Sequence, residues 1–100
     1  MLKFLKSLFG GSPSVDMQNL IAEGAVVIDV RTPQEFNSGH YDGSKNIPLD
    51  KIEANVKTIK NYGKPIIVCC ASGMRSANAK RILENKGIEN VYNAGSWRNL

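Results

Sequence analysis

The segment "CCASGMRSANAKR", Cys69 to Arg81, holds the residues best suited to covalent chemistry. Two adjacent cysteines end an apolar run. Three small residues, Ala71, Ser72 and Gly73, lead to Met74, Arg75 and Ser76, and a helix-like pattern follows. Small residues let a backbone curl until successive N–H groups converge on one point, which makes an anion nest. The helix start adds the positive end of its dipole, and Arg75 adds a full charge on a planar donor fork. A thiol in this setting is expected to ionise more easily than a free one and to act as a nucleophile that becomes, and then carries, an anion. Cys70 stands at the strand–helix junction and is the candidate nucleophile. Ala71, Ser72, Gly73, Met74, Arg75 and Ser76 form the candidate loop that binds the substrate anion. Cys69 lies inside the apolar run, where a free cysteine is usually an inert core residue. For Ser72 and Ser76 two roles stay open: donors to the site, or ordinary loop and cap residues. Met74 either lines the entrance or is simply exposed.

The elements around this loop are read from periodicity and caps. "PIIVC", Pro65–Cys69, is the most apolar strand candidate, and "AVVIDV", Ala25–Val30, is a second. "KNIPL" from Lys45 and "NVYNA", Asn90–Ala94, are shorter ones. Ser14 is expected to cap a helix carrying Val15, Leu20 and Ile21 and ending at Gly24. "TPQE", Thr32–Glu35, is a capping-box start with proline at the first helical position. "DKIE", Asp50–Glu53, opens a helix to about Asn61. The last helix is expected over Ser76–Lys86, with Ala77, Ala79, Ile82 and Leu83 as its buried face. Helices alternating with short buried strands predict an α/β sandwich of three layers: a small, mainly parallel sheet of four or five strands flanked by helices. Ligands of such sheets bind beyond the carboxyl ends of the strands, where Cys70 falls.

One hundred residues make one domain. The net charge of +4 comes from scattered lysines rather than a basic block with interleaved aromatics, so nucleic acid is not an expected partner. Two cysteines are too few for a disulfide framework, and adjacent ones bridge only under strain. Two thiols in a reducing compartment, the cytoplasm, is the expected state. A single histidine, His40, and no cluster at ligand spacing imply no metal, and no organic cofactor is implied either. The start, "MLKFLKSLFGG", lacks the run of about 7–15 apolar residues that a secretory signal needs. Residues 1–13 are expected as a short helix, with Leu2, Leu5 and Phe9 on one face, and a linker; residues 14–100 are expected as the domain.

Three stretches together resemble the rhodanese family of single-domain sulfurtransferases. "CASGMRS" is similar to its C-x-x-G-x-R-S loop. "VVIDVRTPQEFNSGHYDGSKNIPL" is similar to its first signature, with Tyr41 and Ser44 where isoleucine and alanine are usual. "NAGSW" is similar to its closing G-G-x-x-x-W. The resemblance covers about residues 15–97. It implies that Cys70, not Cys69, is the nucleophile, because Gly73 follows Cys70 by three residues. It implies a six-residue ring from Cys70 to Arg75, sized for sulfur, where related phosphatases use a longer loop.

The activity implied is transfer of a sulfane sulfur from thiosulfate or a persulfide donor to a thiol or cyanide acceptor, through a Cys70 persulfide. Arg75 would hold the sulfonate end of the donor. Asp29 and Arg31 are read as structural residues near the site. Glu35 is read as a cap and a partner for Arg31, His40 as part of a structural turn, and Trp97 as an aromatic closing the sheet edge. The alternative is a sulfur-relay or protein-interaction module with little free thiosulfate activity. A more remote one is an arsenate reductase or phosphatase relative. A monomer without a clear membrane attachment is expected.

Overall fold

The computed structural model describes residues 15–100. Ser14 and the expected helix and linker of residues 1–13 lie outside the described residues. In chain order the elements are α1 (Met17–Ala22), β1 (Val26–Asp29), α2 (Pro33–Asn37), β2 (Lys45–Asn46), α3 (Leu49–Ile52), a 3-10 turn (Glu53–Asn55), α4 (Val56–Asn61), β3 (Ile66–Cys70), α5 (Met74–Asn85), β4 (Val91–Ser96) and a closing 3-10 turn (Trp97–Asn99). The four strands form one sheet in the order β2-β1-β3-β4, parallel throughout.

Parallel strands covered on both faces should be apolar on both faces. β3 is buried at all five of its positions. Its side chains alternate between two layers, as strand geometry requires. Ile66, Val68 and Cys70 join Ile28, Val30, Ile52, Ile59, Ala79, Leu83 and Val91 on the face covered by α3, α4 and α5. Ile67 and Cys69 join Val27 and Ala94 on the other face, under Leu20 and Ile21 of α1 and Trp97. The two neighbouring cysteines therefore point to opposite sides of the sheet.

Several boundaries depart from the sequence expectations. Asp16, not Ser14, caps α1, its carboxylate accepting the Asn19 N–H at 3.1 Å. The helix expected from Asp50 begins at Leu49 behind Pro48 with no side-chain cap, and Asp50 falls in its first turn. It is broken by the 3-10 turn before α4. On α5 the buried positions are Ser76, Ala79 and Leu83, whereas Ala77 is exposed. A face of spacing three and four defines that stripe, and Ala77 lies beside it. The capping box at Thr32 is present as expected: Thr32 Oγ1 accepts the Glu35 N–H at 3.2 Å and Glu35 Oε1 accepts the Thr32 N–H at 3.0 Å.

β4 runs two residues further than the sequence suggests and carries a bulge. Val68 pairs with Asn93 but Cys69 pairs with Gly95, so Ala94 is an extra residue. Beside it Gly95 takes φ +77°, a left-handed conformation that favours glycine. Among the described residues no helix is long and apolar enough to cross a membrane.

Candidate active site

The chain leaves β1 toward β2 at one side of the sheet and returns to β3 on the other. The crevice between the carboxyl ends of β1 and β3 is thus the point where the strand order reverses, and ligands of open parallel sheets gather there. Asp29 ends β1 and Cys70 ends β3, so the two loops that leave these residues line the crevice. Cys70 is the last residue of the strand rather than the first beyond it.

The chain turns from β3 into α5 in three residues. Gly73 sits at the helix N-cap position with φ +113° and no side-chain cap. Its Cβ, were one present, would lie 3.4 Å from Gly95 Cα on β4, so both conformation and space ask for glycine here. The helix starts at Met74, two residues earlier than expected. Arg75 and Ser76, expected in or just after the loop, thus belong to its first turn. The tight turn folds the Gly73 N–H back onto Cys70 Sγ at 2.9 Å. Ser76 Oγ lies 3.3 Å from the same sulfur.

These contacts compete with burial. Cys70 is only 1% exposed. Burial, the largest single influence, pushes its pKa up. The Ser76 hydroxyl and the backbone N–H groups of Ser76, Gly73 and Ser72 outweigh it together and hold the thiol below its ordinary value. Cys69, one residue away, has no such donors. Burial first, and the Asp29 charge second, push it up to about 12. It is fully buried and stays a thiol. The residues that follow Cys70 include exposed Ala71 and Ser72 and, at 80% exposure, Met74.

Arg75 is not a free cation. Its guanidinium grips Glu35 with two parallel bonds, Nη1 to Oε1 at 2.7 Å and Nη2 to Oε2 at 3.0 Å. The pair links α2, which follows β1, to α5, which follows β3, and so braces the two walls of the crevice. Glu35 was expected to partner Arg31. Arg31 instead takes only its main-chain oxygen, at 3.3 Å. The side-chain bond to Arg75, with help from the Thr32 N–H, lowers the Glu35 carboxyl to about 2. A carboxyl depressed in the fold stabilises it fully above its ordinary value of about 4.5, and the benefit disappears as pH falls through about 2. Glu35→Gln keeps the capping box and removes the charge. The melting-temperature gap between wild type and Glu35→Gln is expected to be widest above pH 4.5 and to close toward pH 2.

Asp29 and Arg31 form the floor of the β1 side. Asp29 is wholly buried, and its carboxylate accepts Arg31 Nη2 at 2.7 Å, Arg31 Nε at 3.0 Å and the Arg31 N–H at 3.0 Å. Arg31 Nη2 also donates to the Gly39 carbonyl at 2.7 Å, and the guanidinium lies 4.9 Å from the centre of the Trp97 ring. This closes the loop after α2 and places Trp97 as its lid. His40 stacks on Phe36 at 3.7 Å, with Nδ1 2.8 Å from the Phe36 carbonyl oxygen. These contacts hold His40 in this turn.

Sequence reasoning passed over Asn93. Its Oδ1 lies 2.6 Å from Ser76 Oγ and accepts the Gly95 N–H at 2.8 Å, while Nδ2 donates to the Gly73 carbonyl at 3.3 Å. One side chain thus ties β4 to the loop that carries the thiol. The available signal was an amide inside a buried strand two residues before a glycine, the pattern of a side chain that closes a local turn.

A family profile described as "Rhodanese-like domain" matches residues 14–99. The chain belongs to the rhodanese family. Its fold is matched by an Escherichia coli rhodanese solved with anions, with a TM-score of 0.71, 32% identity, and coverage of 77% of this chain and 92% of that one. A human single-domain sulfurtransferase matches with a TM-score of 0.72 at 26% identity, over 89% and 95% of the two chains. Among curated relatives, the E. coli thiosulfate sulfurtransferase PspE is 34% identical over 73% of this chain and 71% of its own. The rhodanese chain spans less of two others: 62% of a Schizosaccharomyces pombe relative that is 41% identical, and 54% of a Bacillus subtilis protein that is 38% identical. Relatives named as thiosulfate sulfurtransferases thus stand beside it in the rhodanese family.

Proposed function

We propose that this rhodanese transfers a sulfane sulfur through a persulfide on Cys70. The supporting observation is a cysteine sulfur at the carboxyl end of a central parallel strand, receiving the Gly73 N–H at 2.9 Å from a loop that opens a helix. The Cys70 thiolate attacks the outer sulfur of thiosulfate. The S–S bond of the donor breaks, and sulfite leaves with the bonding pair. The new terminal sulfur bears the negative charge and sits before the inward N–H groups. An acceptor then attacks that sulfur and expels the Cys70 thiolate; cyanide leaves as thiocyanate, a thiol as its persulfide. The scheme is covalent and ping-pong, and it needs no cofactor. Ala71, Ser72, Gly73 and Met74 surround the entering donor. Asp29 and Arg31 keep the crevice in shape. In this reading the protein works as a monomer in the reducing cytoplasm, where neither cysteine is drawn into a disulfide.

Arg75 favours a second reading of the donor. Two of its N–H groups are committed to Glu35, and a sulfonate must compete with that carboxylate for the fork. With Met74 exposed beside it, the loop suits the less charged end of a thiol persulfide, and free thiosulfate becomes a slow donor.

Intact-protein mass separates these readings. Incubation with thiosulfate is expected to add one sulfur, about 32 Da, and cyanide to remove it. A gain only with glutathione persulfide makes the protein a relay. No gain with either donor overturns the persulfide mechanism. The pH dependence adds a second check. Thiolate is the attacking form, so the rate of Cys70 alkylation rises with pH and is expected to level off below the pKa of an ordinary cysteine.

A further inference from the structure

We propose that Asn93 is a positioning residue for the nucleophile: it draws the Ser76 hydroxyl proton away from Cys70 and so restrains ionisation of the thiol. The inference deepens the reading of Cys70 as nucleophile and rests on it for its functional meaning.

The argument is a count of protons. A serine hydroxyl carries one. Ser76 Oγ has three neighbours that can accept it: Asn93 Oδ1 at 2.6 Å, the Gly73 carbonyl at 3.1 Å and Cys70 Sγ at 3.3 Å. The Asn93 amide cannot turn round to offer its NH₂ instead. Oδ1 is held by the Gly95 N–H at 2.8 Å, and Nδ2 serves the Gly73 carbonyl. Reversal would set two donors face to face at Gly95 and two acceptors face to face at Gly73. The bulge at Ala94 fixes this orientation, because it brings the Gly95 N–H back toward the Asn93 side chain.

Two states follow. With Cys70 as a thiol, S–H donates to Ser76 Oγ and Ser76 O–H donates to Asn93 Oδ1, so every group is satisfied. With Cys70 as a thiolate, Ser76 serves the sulfur only by giving up its shortest bond. That leaves two oxygens 2.6 Å apart with no proton between them. The Gly73 N–H serves both states equally. Asn93 thus favours the protonated form. Once a terminal sulfur is attached, Sγ is neutral and the hydroxyl proton returns to Asn93. A thiol restrained in this way is a stronger nucleophile for each molecule ionised, since nucleophilicity falls as pKa falls.

The charged groups around the sulfur do not mimic this effect. Arg75 on α5 and Cys69 on β3 interact with it electrostatically. Beyond them are Glu35 of α2, on the Arg75 fork, and the Asp29–Arg31 pair after β1. Glu35 is ionised down to about 2 and Cys69 protonated up to about 12. From α3, α4 and β4 the buried side chains on the same face are Ile52, Ile59 and Val91, all uncharged.

The test follows alkylation by iodoacetamide against pH, which needs no sulfur donor. Its failure is therefore distinct from failure of the transfer mechanism, which the mass gain reports. Asn93→Leu is expected to move the Cys70 midpoint down by about one pH unit, what one hydrogen bond to an anion is worth. Ser76→Ala alone is expected to move it up. In the Ser76→Ala background, Asn93→Leu is expected to move it by nothing. Asn93→Asp keeps an acceptor for both Ser76 and Gly95 and is expected to move the midpoint up, by less when Ser76 is alanine; it carries the test alone should Asn93→Leu fail to fold. An upward shift in Asn93→Leu, or equal shifts in both backgrounds, overturns the proposal and reduces Asn93 to a brace for the loop.

Discussion

Cys70→Ser is expected to lose sulfur transfer by a factor on the order of 10³ or more, the scale of losing a covalent nucleophile. Its mass is expected to stay constant with any donor. A hydroxyl at this position has the same N–H groups before it but ionises far too weakly to use them. Cys69→Ser is expected to keep its turnover, because that side chain faces the opposite layer of the sheet under α1 and Trp97. The measurement is thiocyanate release from each variant, after each has been shown to fold. If Cys69→Ser were inactive and Cys70→Ser active, the assignment of the nucleophile would be reversed and the nest around Cys70 would have no role.

The largest effect on stability is expected from Arg31→Met. Arg31 is 5% exposed and Asp29 not at all, and their carboxylate–guanidinium contact is 2.7 Å. Removing one partner of a buried pair leaves an uncompensated charge and costs about 3–5 kcal/mol. A domain of this size is held by only about 5–15 kcal/mol. A fall in Tm on the order of 15–30 °C is therefore expected in thermal unfolding. Asp29→Leu combined with Arg31→Met is expected to recover part of the loss, because no buried charge remains. Recovery stays incomplete, since the Gly39 and Glu35 carbonyls lose their donor. A single variant that melts within a few degrees of wild type would show that water reaches Asp29, and the pair would then be a minor brace.

The elements that come from local signals were legible in the sequence. The β-branched runs predicted β1 and β3, and Thr32 with Glu35 predicted the capping box that opens α2. The turn from β3 into α5 was legible too, because glycine, small residues and a helix start are all read along the chain, although the helix opens at Met74 rather than Ser76. What escaped depended on neighbours distant in sequence. Arg75 and Glu35 lie forty residues apart and meet only because β1 and β3 are adjacent in the sheet. Ser76 looked like a helix cap by type, but the helix opens at Gly73 through backbone conformation alone, and the hydroxyl is turned inward. Asn93 escaped because a bulge has no strong sequence mark, and its partners lie across a strand pair.

Under the proposed persulfide mechanism, the alternation along β3 limits how a sulfur loaded on Cys70 would leave. Many thiol enzymes discharge their reactive sulfur onto a second, resolving cysteine held close by. Here the nearest candidate in sequence, Cys69, is on the far side of a sheet with its thiol sealed in the core. It can neither attack a persulfide on Cys70 nor close a disulfide with it without tearing the central strand. A sulfur taken on in that mechanism would be kept from this neighbour, and its residence time would measure how soon a suitable acceptor arrives from outside.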